Sequence, residues 1–163
     1  METFKVYVGC GLTHASDQFT DSVEKFKEKL NLIDNVEILD FLGLTDSTPR
    51  GVYNHDINNC VRRCDLLIAI LDEPSTGLGV EFGIQIGERK KPMLGMAHHD
   101  SLVTRLVIDP GVPNYDFVRY QNLCVDGFEL AKKQIMYRMK FWPDDRSFVT
   151  PDIPELSILG EGH

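Results

Sequence analysis

The segment PSTGLGVE, residues 74–81, has the residue types best suited to chemistry, because it combines hydroxyls, glycines and a carboxylate between an apolar run and a helical pattern. Glycines let a ligand approach the backbone closely. Ser75 or Thr76 can cap the helix or donate to an anion at its N-terminus, where Glu81 falls in the first turn. The segment predicts either a ligand-binding turn with a reactive carboxylate or an ordinary carboxylate that the helix dipole stabilises.

A second glycine turn, Gly9-Cys10-Gly11, follows an apolar run near the N-terminus. In open parallel α/β sheets, ligands bind outside the carboxyl ends of the strands, where the strand order reverses. The turns that this rule selects follow Gly9, Asp40, Leu71 and Met96. Two of the four are glycine-rich, which makes them the candidates for a ligand site.

Apolar runs alternate with helical periodicity along the chain. The predicted strands are Lys5–Gly9, Val36–Asp40, Asp65–Leu71 and Pro92–Met96, with a fifth within Phe117–Cys124. The predicted helices are Asp17–Leu30, Thr48 to about Arg63, Val80–Glu88 and Gly127–Met139. The run from 65 to 71 is apolar on both faces, as a central parallel strand must be. This pattern predicts a doubly wound α/β fold of the flavodoxin or Rossmann type, with a mainly five-stranded parallel sheet and helices on both faces.

The composition indicates one soluble domain, since 163 residues that are 42% apolar and 26% charged can bury a core without disulfides or a structural metal. Lys and Arg total 17 against 25 Asp and Glu, and the net charge of −8 argues against duplex nucleic acid as a partner. Residues 1–142 are expected to form the α/β domain. Residues 143–163 are expected to form a Pro/Gly-rich tail.

The four cysteines are Cys10, Cys60, Cys64 and Cys124. They lack paired CxxC spacing, so we expect reduced thiols. His98 and His99 have no evident third ligand, and we predict no metal and no cofactor. Met1 leads directly into an apolar strand without a signal-peptide pattern, and no apolar run approaches the roughly 18 residues of a membrane span. We therefore expect a cytoplasmic protein without a membrane partner.

The run Asp65–Leu71 followed by Pro74–Gly83 resembles the signature of the nucleoside 2-deoxyribosyltransferase superfamily, which includes deoxyribosyltransferases and nucleoside 5′-monophosphate N-glycosidases. Tyr7 with its glycine turn, and Asp56 on the helix before the central strand, also resemble the family pattern. The similarity extends over roughly residues 4 to 100 and thins out afterwards.

The resemblance implies that Glu81 attacks C1′ of the sugar and forms a glycosyl-enzyme, which water or a second base then resolves. It also implies that Asp56 lies near the base and that the Tyr7 hydroxyl positions the nucleophile. Cleavage of an N-glycosidic bond passes through an oxocarbenium-like state, so it needs one ionised carboxylate beneath C1′ and a second acid or polar group at the departing base. Without the resemblance, Asp56 is a solvated helix residue and Tyr7 an ordinary core side chain.

Ser75 bears on the choice of substrate. Superfamily transferases that act on free nucleosides often have an acidic residue at this position, whereas the monophosphate hydrolases resemble this chain in having Ser. A hydroxyl donates to phosphate and a carboxylate repels it, so the chain favours a nucleotide unless Ser75 only caps the helix. The substrate-binding residues that the resemblance implies are Gly9, Gly11, Thr13, Ser75, Gly77, Gly79 and Thr104.

The resemblance also implies a homodimer or a higher homo-oligomer, with Thr104 as the candidate residue that completes a neighbouring subunit's site. The predicted activity is cleavage of the N-glycosidic bond of a (deoxy)nucleoside or its 5′-monophosphate, by hydrolysis or by transfer to another base. Two other functions stay open. The Gly9–Thr13 turn with Asp40 as a ribose ligand fits a dinucleotide (NAD-type) binding protein, although the third glycine of that pattern is missing. A non-catalytic nucleotide-sensing module on the same scaffold is the other.

Overall fold

The computed structural model describes residues 3–41, 48–89 and 91–141, and these contain one sheet of five parallel strands. The strands are β1 (Phe4–Cys10), β2 (Val36–Leu39), β3 (Leu66–Ile70), β4 (Met93–His98) and β5 (Tyr115–Tyr120). Their order across the sheet is β2-β1-β3-β4-β5. This is a doubly wound order whose switch point lies between β1 and β3, and it confirms the predicted fold class.

Helical elements connect the strands. They are α1 (Asp17–Asn31), α2 (Pro49–Tyr53) continued by the π-helical segment π1 (Asn54–Val61), α3 (Thr76–Ile84) continued by π2 (Gln85–Arg89), α4 (Arg105–Ile108), and π3 (Leu123–Gly127) leading into α5 (Phe128–Phe141). Side-chain oxygens of Ser16, Thr48 and Ser75 cap α1, α2 and α3 by accepting from backbone N–H groups in the first turn. The predicted helix start at Thr48 and Pro49 is confirmed.

Two apolar layers cover the sheet, because side chains alternate between its faces along each strand. Val6 and Val8 belong to the layer that includes residues of α1 and α5. Tyr7 belongs to the opposite layer, which includes residues of π1 and α3. All five residues of β3 are buried, as expected for a central strand. The fold therefore directs the Tyr7 side chain towards the two elements that carry Asp56 and Glu81.

The start of α3 differs from the prediction. The sequence pattern predicted a helix from Val80, but α3 begins at Thr76 and contains both glycines of the segment. A glycine costs a helix interior about 1 kcal/mol relative to alanine. The cap by Ser75 and the burial of Leu78 offset this cost. Glu81 therefore lies in the second helical turn rather than the first, where the helix dipole acts on it less than predicted.

Strand β5 also begins earlier than predicted, at Tyr115, and Cys124 lies in π3 rather than in the strand. β5 is an edge strand that pairs only with β4, and its sequence YDFVRY lacks the apolar run of an interior strand. The four residues of α4 were not predicted, because they are too few to give a helical period. The predicted tail, residues 143–163, lies outside the described residues.

None of the four cysteines forms a disulfide, and Cys60 and Cys64 are buried. Within residues 3–41, 48–89 and 91–141, no three His, Cys, Asp or Glu side chains are grouped as a metal site would require. No helix of these same ranges has the length and apolar character to cross a membrane.

Candidate active site

The three predicted catalytic residues, Tyr7, Asp56 and Glu81, lie near one another towards the carboxyl ends of β1 and β3. In the parallel register, Gly9 pairs with Ala69 and Cys10 pairs with Ile70, so the two strands end side by side. Tyr7 comes from β1, Asp56 from π1 and Glu81 from α3. Three elements that are distant in sequence thus contribute to one place, which is the switch point where this fold binds ligands.

Tyr7 and Glu81 are joined by a hydrogen bond. The Tyr7 hydroxyl donates to Glu81 Oε1 over 2.8 Å, and the Tyr7 side chain is only 1% exposed. Burial, together with the charge of Glu81, raises the pKa of Tyr7 far above its usual value. Tyr7 is therefore a neutral hydroxyl at any physiological pH, and it holds one carboxylate oxygen in place as a donor.

The Glu81 carboxyl has a pKa raised to about 7. Burial is the largest cause, because a desolvated carboxylate is disfavoured. The hydrogen bond from Tyr7 lowers the pKa, and the negative charge of Asp56 raises it. Glu81 consequently changes charge near neutral pH, which is unusual for a carboxyl and typical of reactive groups in active sites.

Asp56 acts on both members of the pair. Its charge raises the pKa of Glu81 and contributes to the raised pKa of Tyr7. The Cys60 thiol, one turn further along π1, has a pKa raised to about 12 by burial first and then by Asp56 and Glu81. Two carboxylates therefore share one small, partly desolvated region, the arrangement in which one ionised and one assisting carboxyl can be held in different states.

The glycines of the β1 turn make room for α3. A Cβ at Gly9 would lie 2.7 Å from Glu81 Oε2, and a Cβ at Gly11 would lie 2.9 Å from Ser75 Cβ. A Cβ at Gly11 would also lie 2.8 Å from the Glu73 carbonyl oxygen, a main-chain atom, so glycine is required there, whereas a side chain at position 9 would have to displace the ends of the Glu81 and Leu78 side chains. The expected substrate-binding glycines thus lie directly beside the carboxylate and the cap of α3.

Ser75 has the capping role that the sequence allowed. Its Oγ accepts from the Leu78 N–H over 3.2 Å. A hydroxyl has one donor and two acceptor sites, so this bond leaves the O–H of Ser75 able to donate to a ligand. Gly77 and Gly79 lie exposed in the adjacent turn of α3, and a Cβ at Gly79 would meet no atom within 4 Å.

Thr13 and Thr104 are exposed and do not hydrogen-bond to Tyr7 or Glu81 in the described part of the chain. Thr13 lies in the turn after β1, and Thr104 precedes α4 without a side-chain capping bond. Leu102 and Leu106 on either side of Thr104 are 96% and 78% exposed. This region is an exposed apolar segment at the carboxyl side of β4.

Sequence reasoning missed Asp72, which lies two residues after the end of β3. Its carboxylate accepts from the His98 N–H and the Ser101 hydroxyl, both over 2.6 Å, and from the Tyr120 hydroxyl. Arg119 donates to the carbonyl oxygens of His98 and Ser101. These bonds fix the segment after β4, and no periodic signal could have found them because they join residues 26 to 48 positions from Asp72.

Sequence reasoning also missed Lys27, a buried residue of α1. It is 5% exposed, and its ammonium donates to Asp40 Oδ1 over 2.7 Å. A signal was present, since Lys27 follows Val23 by four residues and so lies on the apolar face of the helix. Asp40 is therefore engaged by a lysine within this chain.

The fold defines the protein as a member of the doubly wound α/β class, in which ligands bind at the switch point. No protein-family model matches the sequence, and no curated protein matches it either.

Among solved structures, the chain is similar to the Clostridium botulinum CMP N-glycosidase BcmB, with a TM-score of 0.54, 19% sequence identity and coverage of 79% of this chain and 97% of that one. It also matches the Francisella novicida lysine decarboxylase LdcF, with a TM-score of 0.49, 14% identity and coverage of 83% of this chain and 17% of that one. The likeness to BcmB shows that the two chains share a fold, in agreement with the predicted α/β class.

Because the pKa of Glu81 is raised from 4.5 to about 7, the folded protein binds this proton more tightly than the unfolded chain does. The contribution of this tighter proton binding to the free energy of unfolding is fully present below pH 4.5 and is lost as the pH rises through 7. We therefore expect Glu81→Gln to raise the free energy of unfolding at pH 8 by on the order of 1 to 3 kcal/mol, and to raise it much less at pH 5. Urea unfolding at the two pH values measures this difference.

Glu28→Gln is the matched control, since Glu28 is exposed on α1 and the substitution changes the net charge by the same amount. We expect it to change stability equally little at both pH values. A Glu81→Gln protein that is less stable than wild type at pH 8 would contradict the conclusion that burial of the ionised Glu81 carboxylate destabilises the fold.

Proposed function

We propose that this protein is an enzyme that cleaves the N-glycosidic bond of a (deoxy)nucleoside or its 5′-monophosphate. The observation that carries the proposal is the hydrogen bond from Tyr7 to Glu81 at the switch point, with Asp56 beside it. The fold shared with a CMP N-glycosidase supports the same reaction class. The four cysteines without disulfides are compatible with the cytoplasm as the site of action.

In this reaction, an ionised Glu81 oxygen attacks C1′ of the sugar. The bond between C1′ and the base nitrogen breaks, and its electron pair leaves with the base. Asp56 assists the departing base by hydrogen bonding or proton transfer. Water, or a second base, then attacks C1′ of the glycosyl-enzyme and releases Glu81. Tyr7 stays neutral throughout and keeps the carboxylate oriented.

A 5′-phosphate has a suitable location beside α3. The Ser75 hydroxyl has a free donor beside the backbone N–H groups at the start of α3, and such a group of donors favours an anion. Gly11 approaches Ser75 closely. Thr13, in the exposed turn after β1, is the further hydroxyl proposed for this subsite. A free 5′-hydroxyl can use the same donors, so both substrate classes belong in the test.

The dinucleotide-binding alternative is less well supported. His14 stands where the dinucleotide pattern has its third glycine. Asp40, the proposed ribose ligand, is paired with Lys27. A nucleotide-sensing module without turnover uses the same site, and a turnover assay separates it from the enzyme.

The first test measures base release by chromatography from a panel of nucleosides and their monophosphates, with and without a second free base. We expect wild-type protein to release base from at least one member, and Glu81→Gln to lower this rate by at least about 1000-fold, since it removes the nucleophile. Circular dichroism checks that the variant is folded. Binding without turnover by the wild type supports the sensing module, and near-normal turnover by Glu81→Gln removes Glu81 from the mechanism.

The second test uses the pH dependence of kcat/KM, which reports ionisation in the free enzyme. Activity should rise with pH through about 7 as Glu81 ionises. Tyr7→Phe removes the bond that lowers this pKa, so the rise should move to higher pH. Asp56→Asn removes the charge that raises it, so the rise in the residual activity should move to lower pH.

Asp100→Asn is the control for loss of a charge, because the Asp100 side chain is 93% exposed, and its profile should match wild type. Shifts of Tyr7→Phe and Asp56→Asn in the same direction would contradict the proposed electrostatics.

The third test concerns assembly. We propose a homodimer or larger homo-oligomer in which Thr104 completes the site of a neighbouring subunit, and the exposed Leu102 and Leu106 beside it are suited to an interface. Thr104→Ala and Glu81→Ala should each be inactive, and mixing them should restore partial activity, because some mixed sites contain both native residues. Sedimentation at the assay concentration measures the assembly. A fully active monomer would exclude this arrangement.

A further inference from the structure

Lys27 is a buried charge that the proposed reaction does not use. Its ammonium lies 2.7 Å from both Asp40 Oδ1 and Glu24 Oε1. Burial alone would lower the pKa of Lys27, but the hydrogen bonds to Asp40 and Glu24 outweigh it and raise this pKa above its usual value. Lys27 is therefore a permanent cation beneath the end of β2.

One set of contacts leads from Lys27 to the Tyr7–Glu81 pair. The ammonium lies 4.5 Å from the centroid of the Phe41 ring, a cation–π distance. The Phe41 ring meets the Tyr7 ring edge to face, with centroids 6.5 Å apart. The residue after Asp40 thus packs against the residue that holds the Glu81 carboxylate.

A second set of contacts leads from Lys27 to the segment that carries Asp56. The main-chain carbonyl oxygen of Asp40 accepts from Cys60 Sγ over 3.2 Å and lies 2.8 Å from His55 Nε2. Both of these residues belong to π1, on either side of Asp56. Asp40 therefore bonds α1 through its side chain and π1 through its main chain.

We propose that Lys27 is a positioning residue for the site: by fixing Asp40 and Phe41 at the end of β2, it holds Tyr7 and Asp56 in their working positions. One ammonium contacts two carboxylates and an aromatic face at once, and its charge strengthens all three contacts. The inference rests on the proposed function, because the positions of Tyr7 and Asp56 matter through Glu81. The titratable groups that the described residues place beside Lys27 or its partner Asp40 include Glu24, His55 and the thiols of Cys10 and Cys60.

Lys27→Met tests this role, since methionine keeps much of the side-chain length and removes the charge. The hydrogen bonds to Asp40 and Glu24 outweigh the cost of burying the ammonium, so the variant should unfold at a somewhat lower temperature than wild type while staying folded at the assay temperature. Its kcat should nevertheless fall about 10- to 100-fold, the size expected for a small misplacement of reacting groups. Looser Tyr7 packing weakens its bond to Glu81, so the pH at which activity rises should move upwards, as in Tyr7→Phe.

Lys29→Met is the matched control. Lys29 also belongs to α1 and also lies over an aromatic ring, that of Phe128 at 4.3 Å, but it bonds the Cys124 carbonyl at the far side of the sheet from Tyr7. Its kcat and pH profile should equal those of wild type. A Lys27→Met protein with wild-type kcat and pH profile would overturn the proposal. So would equal losses in both variants, because these would indicate a general effect on α1.

Two further measurements keep the test decisive. If Lys27→Met does not fold, Asp40→Asn decides the matter, because it removes the charge from the same contact at an exposed carboxylate and should lower kcat in the same direction. If the wild type releases no base from any substrate, the proposed function fails independently. The Lys27 inference is then judged by ¹³C NMR titration of Glu81, whose pKa should be higher in Lys27→Met than in wild type.

Discussion

A single hydrogen bond, from the Tyr7 hydroxyl to Glu81, determines how the rest of this site is organised. It requires an almost fully buried tyrosine on β1 and a carboxylate in the second turn of α3, and these two can meet only where the strand order reverses. The bond opposes the unfavourable effects of burial and of Asp56 on the charge of Glu81. As a result, Glu81 ionises near neutral pH. Burying an ionisable carboxyl in this way does not stabilise the fold, but a carboxyl that changes charge near neutral pH is suited to catalysis.

The ends of the strands are fixed by carboxylates on both sides of this bond. On one side, Asp40 after β2 joins α1 to π1. On the other side, Asp72 after β3 accepts from the segment that follows β4. Neither carboxylate contacts the Tyr7–Glu81 pair through a hydrogen bond in the described residues. The acidic character of this chain is therefore partly structural, because these two groups hold the loops around the site rather than acting on a ligand.

The sequence was sufficient for the class of fold and for the two residues of the central bond. The apolar run at β3 and the glycine segment after it are local signals, and they led to Glu81 and Ser75. The predicted start of α3 was wrong because the low helix propensity of glycine was considered without the buried Leu78 side chain, which stabilises the first turn of the helix. Asp72 was missed for a different reason, since its partners lie 26 to 48 residues away and become neighbours only when the sheet is assembled. Lys27 lies at an apolar position of α1, but its contact with Asp40, 13 residues away, likewise depends on the folded chain.

The close approach of Gly11 to the segment before α3 limits how related sequences can change. A Cβ at position 11 would lie 2.8 Å from the Glu73 carbonyl oxygen, a main-chain atom that cannot give way as the end of a side chain can. A larger residue at position 11 is therefore expected only together with a different path of the chain between β3 and α3. At position 9 the nearest atoms are the ends of the Glu81 and Leu78 side chains, which can move, so substitutions there should be accepted more often.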